Sequence, residues 1–137
     1  MRFQLKLAVF AAAALGVVYL GSAAADDEIK DIKGCMAFTK TKVARDHLPA
    51  ELKSASPDWD QIQRDTKQWV AVAETLGKQS PPRGTAQSWK RQTDKYLEHV
   101  KDINVAAQKK DAAAATKAVA TLGMSCGGCH SQHKPKK

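Results

Sequence analysis

Near the C-terminus the chain reads Cys126-Gly127-Gly128-Cys129-His130, a C-x-x-C-H run. Two thiols three residues apart lie side by side on a helical turn, where they can add across the two vinyl groups of one haem. The next residue brings an imidazole under the iron as proximal ligand. Gly127 and Gly128 keep that turn narrow, so the backbone can pass close to a porphyrin edge. The spacing therefore predicts one covalently attached haem c, with thioethers from Cys126 and Cys129 and with His130 on the iron. A zinc half-site and a redox-active dithiol are the rival chemistries for the same residues.

Covalent haem attachment needs an exported chain, and the N-terminus reads as an export signal. Arg2 and Lys6 form a basic start, Leu7 to Leu20 an apolar run, and Ala23-Ala24-Ala25 an A-x-A cleavage site. The expected division is a secretory leader at 1–25 and a single domain at 26–137, located in the periplasm. The apolar run is short and gives way to Asp26-Asp27-Glu28 without a stop-transfer cluster, so no stable membrane insertion is expected after cleavage. Twenty-two basic and 14 acidic side chains give a formal charge of +8, which loss of Arg2 and Lys6 lowers by two. The tail His133-Lys134-Pro135-Lys136-Lys137 places part of that charge beside the motif, where it would steer an acidic redox protein partner by a salt-sensitive attraction. Keeping a small exported protein soluble is the plainer role for the same lysines. Nucleic acid is not an expected partner, since no basic recognition helix stands out. Cys35 is the third cysteine; with the other two consumed it has no internal disulfide partner, and it reads as a small buried hydrophobe.

Four stretches with helical periodicity must position the motif. In the first, from about Asp27 to Leu48, Ile29, Ile32, Met36, Thr39 and Val43 recur at three- and four-residue steps, and Pro49 is the expected stop. The second opens at Ser56-Pro57-Asp58, carries Trp59, Ile62, Thr66, Trp69, Ala73 and Leu76 on one stripe, and ends at Gly77. The third runs from a Thr85 cap to Gln108, with Trp89, Thr93, Tyr96, Val100, Ile103 and Ala107 in phase. The fourth starts near Asp111, is rich in alanine, and bears the motif at its far end. Strand signals are nearly absent. The predicted fold is all-α, an antiparallel up-down-up-down four-helix bundle. In that topology the start of the first helix, the connection between the second and third, and the end of the fourth share one end. The haem is expected there.

Met36 and His47 are the candidates for the sixth iron ligand. Eleven residues apart, they differ by only about 20° around a helix but by about 16 Å along it. Met36 is near the haem end and His47 near the other, so Met36 is the expected distal ligand. Trp89, one turn into the third helix, is a candidate wall for the porphyrin. Arg83, Arg91 and Lys33 are candidates to pair with propionates, arginine best because its planar guanidinium matches a carboxylate. His99 and His133 have no companion at metal-ligand spacing and are expected at the surface.

With Cys126 to His130 near the end and a methionine in Ile32-Lys33-Gly34-Cys35-Met36, the chain resembles class II cytochromes c, the family of cytochrome c prime and its low-spin, methionine-ligated relatives. The resemblance spans the mature segment in layout. It implies a four-helix bundle, thioethers at Cys126 and Cys129, proximal ligation by His130, and a distal residue on the first helix in the region of Met36. Lys134 approximates the basic residue that follows the haem histidine by one turn, and a homodimer through the first two helices is also implied. The expected function is that of a single-haem electron carrier with His/Met ligation. The alternative is a five-coordinate haem protein that binds nitric oxide or carbon monoxide. Enzyme readings fare worse: a dithiol oxidoreductase lacks its strand-rich surroundings, and a peroxidase lacks a distal acid-base residue.

Overall fold

The computed structural model describes residues 29–44 and 47–136. The expected leader at 1–25, and Asp27 where the first helix was expected to begin, lie outside those residues. Among the described residues every regular element is helical and no strand occurs. None of these helices is long and apolar enough to cross a membrane.

Short polar side chains start most of the helices. In α1, Ile32–Phe38, the Asp31 carboxylate accepts from Gly34 N at 2.6 Å. The helical course then widens into a π-helical segment, Thr39–Ala44. It does not run unbroken to Leu48, as its periodicity predicted. Pro49 does not stop it either; it sits in the first turn of a separate short helix, α2, Leu48–Leu52, where a missing N–H costs nothing. The next helix, α3, spans Trp59–Gly77, and its cap is Asp58, which accepts from Gln61 N at 3.0 Å, in place of the expected Ser56. Pro57 is thereby left outside. Thr85 caps α4, Ala86–Gln108, as expected, and Asp111, near which the last helix was expected to start, caps α5, Ala112–His133.

Hydrogen bonds between helices fix their directions. Gln63 Nε2 donates to Ala107 O at 3.2 Å and Thr66 Oγ1 to Asn104 Oδ1 at 3.1 Å, while Gly77 near the other end of α3 lies against Thr93, so α3 and α4 run antiparallel. The Cys35 thiol donates to Val72 O at 3.6 Å and Gln79 Nε2 to Lys30 O at 3.1 Å, which sets α1 antiparallel to α3. Ser88 meets His133 across α4 and α5, again antiparallel. The start of α1, the α3–α4 connection and the end of α5 therefore gather at one end. The short α2 packs on α5.

The stripes expected on α3 and α4 form the core. Ile62, Thr66, Trp69, Ala73 and Leu76 are buried, and so are Trp89, Thr93, Val100, Ile103 and Ala107. Full enclosure of side chains such as Val100 and Ile103 contributes about 2 kcal/mol each. On α1 the phase differs from expectation: Cys35 and Phe38 are the buried residues, and Ile32, Met36 and Thr39 flank them half-buried. Cys35 is a fully enclosed part of that core, as expected of a small hydrophobe.

Candidate haem site

The whole Cys126 to His130 run lies within α5, two turns or less from its end. The phase of the helix puts Leu122, Cys126, Cys129 and His133 on the side that faces α4, and His130 at its border. Cys126 and Cys129 are half-buried free thiols, and Cys129 packs against the core. Burial pushes both thiols up from their ordinary range, and for Cys129 the neighbouring Cys126 adds to the effect. Both stay protonated at neutral pH. His130 is exposed, and its ring makes no hydrogen bond or ion pair among the described residues. A Cβ built on Gly123, Gly127 or Gly128 meets nothing within 4 Å, so one flank of the motif borders open space.

The donor set fits a haem c. Two free thiols at i and i+3 on one face, an adjacent imidazole with no competing partner, and an unobstructed glycine flank are what thioether attachment with proximal histidine ligation requires. The same set fits zinc poorly, because a structural site needs four donors. Among the described residues no group of three or more His, Cys, Asp or Glu side chains is placed to hold a metal ion.

Met36 is half-buried on the second turn of α1 and packs against the core. Tyr96 of α4 connects the two sides. Its hydroxyl is bonded to Thr39, three residues beyond Met36, and it lies close enough to Cys126 and Cys35 for charge on either sulfur to act on it. Burial pushes the Tyr96 phenol up to about 12. His47 is exposed at the start of α2, where it borders a groove of about 190 Å³ with Asp58 and Asp65 at the beginning of α3. A helix about 28 Å long separates that end from the C-terminal turn of α5.

Arg83 and Trp89 are brought together by a residue that sequence reasoning put at the surface. His133 is only 2% exposed. Its Nδ1–H donates to Arg83 O at 2.7 Å, its Nε2 lies 3.1 Å from Ser88 Oγ, and the Trp89 ring meets it edge-on at 5.2 Å between centroids. Arg83 Nη2 donates to Ser131 O, and Ser88 Oγ to Gln132 Oε1. Burial here has a physical cause: imidazole is apolar on its faces, Nδ1–H is met by a backbone carbonyl, and Nε2 lies beside the Ser88 hydroxyl. A signal for it existed, since Leu122, Cys126, Cys129 and His133 recur at steps of four, three and four. Arg83 Nε and Trp89 Nε1 are buried without partners among the described residues. Lys33, Arg91 and Lys134 are exposed, and His99 is half-buried.

Comparison with protein-family models, curated proteins and solved structures finds no match to this chain.

Proposed function

We propose that the chain is an exported c-type cytochrome, a periplasmic single-electron carrier with one haem c. In this reading residues 26–137 form a four-helix bundle of the class II cytochrome c kind, built from the first helical stretch, α3, α4 and α5. The observation that carries it is the pair of free, half-buried thiols at Cys126 and Cys129 beside the unpartnered ring of His130. Cys126 and Cys129 would hold the haem, each thiol by addition across one vinyl group, a step that balances without an oxidant; His130 would supply a nitrogen and Met36 a sulfur to the iron. When bound, the haem would supply one-electron iron chemistry, and a histidine and methionine ligand pair would favour a high potential with little change of coordination. Met36 and Cys129 both pack against the apolar core, which would shield part of the haem from water.

The basic end gives the carrier its partner class. Lys33, Lys78, Lys134 and Lys136 are exposed around the start of α1, the α3–α4 connection and the end of α5. That arrangement suits a transient, salt-sensitive encounter with an acidic redox protein. A dithiol enzyme is disfavoured because catalytic thiols have lowered pKa values, whereas Cys126 and Cys129 are raised by burial near a helix C-terminus.

One observation favours a second reading. Met36 packs against the core, so its sulfur could be held there and leave the iron five-coordinate, open to nitric oxide or carbon monoxide. Optical spectra of the exported protein and of Met36→Ala separate the two. A low-spin spectrum indifferent to carbon monoxide, converted to a high-spin, carbon monoxide-binding one by the substitution, supports the carrier. Mass spectrometry showing both thiols without an added macrocycle sinks both readings.

A further inference from the structure

Three helices meet at the Tyr96 hydroxyl. Trp69 Nε1–H of α3 donates to Tyr96 Oη at 2.7 Å, and Tyr96 Oη lies 2.7 Å from Thr39 Oγ1. Thr39 Oγ1 in turn donates to Cys35 O at 2.9 Å. An indole N–H only donates, and each hydroxyl has one proton to give. With the Thr39 proton on the Cys35 carbonyl, the Tyr96 proton must go to Thr39. The chain of donors thus runs in one direction, from α3 through α4 to the backbone of α1.

Its end point is an unusual place in the backbone. Thr39 is where the α-helix gives way to the π-helical segment, and its N–H is shared between Cys35 O and Met36 O. Such π turns inside helices recur at functional sites, because one extra residue re-aims the side chains of the neighbouring turn. Met36 and Thr39 are three apart and share a face of α1. Tyr96 also lies near the sulfurs of Cys126 and Cys35.

We infer that Tyr96 is a positioning residue for the distal iron ligand: through the Thr39 hydroxyl it holds the turn of α1 that carries Met36. The inference rests on the His/Met reading proposed above. A neutral thioether is a weak ligand, so its occupancy of the iron depends on how well its helix turn is held. Loss of one hydrogen bond in the chain shifts the balance between bound and released Met36 by about fivefold.

The test uses exported holoprotein and three variants, Thr39→Val, Tyr96→Phe and Thr39→Ser. Two readouts follow Met36 directly: the near-infrared charge-transfer band of ferric methionine-ligated haem, and the carbon monoxide affinity of the ferrous protein. Thr39→Val keeps the shape of the side chain and removes only the hydroxyl, so it carries the test if Tyr96→Phe does not fold. Thr39→Val and Tyr96→Phe are expected to weaken the band and raise carbon monoxide affinity about fivefold, with helical circular dichroism unchanged. Thr39→Ser is expected to retain the wild-type values. A wild-type band that survives both hydroxyl deletions overturns the role of Tyr96 alone, as does a Thr39→Ser protein as impaired as Thr39→Val. A wild-type spectrum already identical to that of Met36→Ala removes the His/Met reading itself.

Discussion

The two ends of α4 are turned by the same device in opposite surroundings. Each connection contains one residue in the left-handed region, Gly84 before α4 and Lys110 after it, with φ of 80° and 56°. At the first, a Cβ would lie 2.9 Å from His133 Nδ1 and 3.2 Å from Gln132 O, so only glycine fits. At the second the side chain is exposed, and lysine is tolerated at the cost of backbone strain. Lys110 N bonds Ala107 O and Asp111 N bonds Ala106 O, both at 3.0 Å, a Schellman closure that uses only neighbouring residues. Asp111 then caps α5 by accepting from Ala114 N at 2.9 Å. The reversal at Lys110 is made by local backbone bonds, although Gln63 of α3 reaches the neighbouring Ala107 and Gln108 carbonyls; the reversal at Gly84 is pressed directly against α5. The closure pressed against α5 is the one beside the thiols and His130.

The contrast can be broken most directly at His133. Replacing it by alanine leaves a buried cavity and strips Ser88 Oγ and Arg83 O of a partner, with an expected loss of about 3 kcal/mol in denaturant unfolding. The exposed His130→Ala, compared in protein without haem, should change stability by less than about 0.5 kcal/mol. Equal losses for the two histidines would erase the distinction between the buried latch and the open ring proposed as a ligand.

Gly84→Ala is the next largest effect. The left-handed φ and the close approach to the His133 ring together should cost about 2 kcal/mol, read as a lowered unfolding midpoint. If alanine is accepted there without loss, the turn is not pressed against α5 as described.

Between the two ends, Tyr96 adds an alkaline test. Burial raises its folded pKa to about 12, above an ordinary value of 10. The neutral phenol is therefore favoured in the folded state; its contribution is complete below pH 10 and is lost as pH rises toward 12. The stability difference between wild type and Tyr96→Phe should narrow by about 2 kcal/mol across that window. As the only tyrosine after the expected leader, Tyr96 can also be followed alone by phenolate absorbance. A difference constant from pH 9 to pH 12 would contradict it.

The smallest effect has the opposite sign. Lys110→Gly relieves the left-handed strain at an exposed site and should raise stability by about 0.5 to 1 kcal/mol, seen as a higher thermal midpoint.

Helix identity and most helix ends were legible without a fold. Thr85 and Asp111 accept bonds from N–H groups three residues on, and the stripes of α3 and α4 are buried nearly residue for residue, because caps and periodicity are local properties of the chain. The C-x-x-C-H spacing was equally legible, since covalent distance alone sets it. The change of winding after Phe38 was not: the apolar spacing of Met36, Thr39 and Val43 does not distinguish an α-helix from the π-helical segment that begins at Thr39, where the Tyr96 hydroxyl from α4 is bonded. His133 eluded the sequence for a related reason. The spacing from Leu122 through Cys126 and Cys129 put it on the inner face, but the partners that let an imidazole be buried come from Ser88 and Arg83, 45 and 50 residues away. The sequence by itself determined which residues have the types and spacing of the proposed haem attachment and which segments are helical. Only the tertiary structure decided that His133 is buried while His130 stays open and that Tyr96 reaches Thr39, because those outcomes depend on distances between segments remote in the chain.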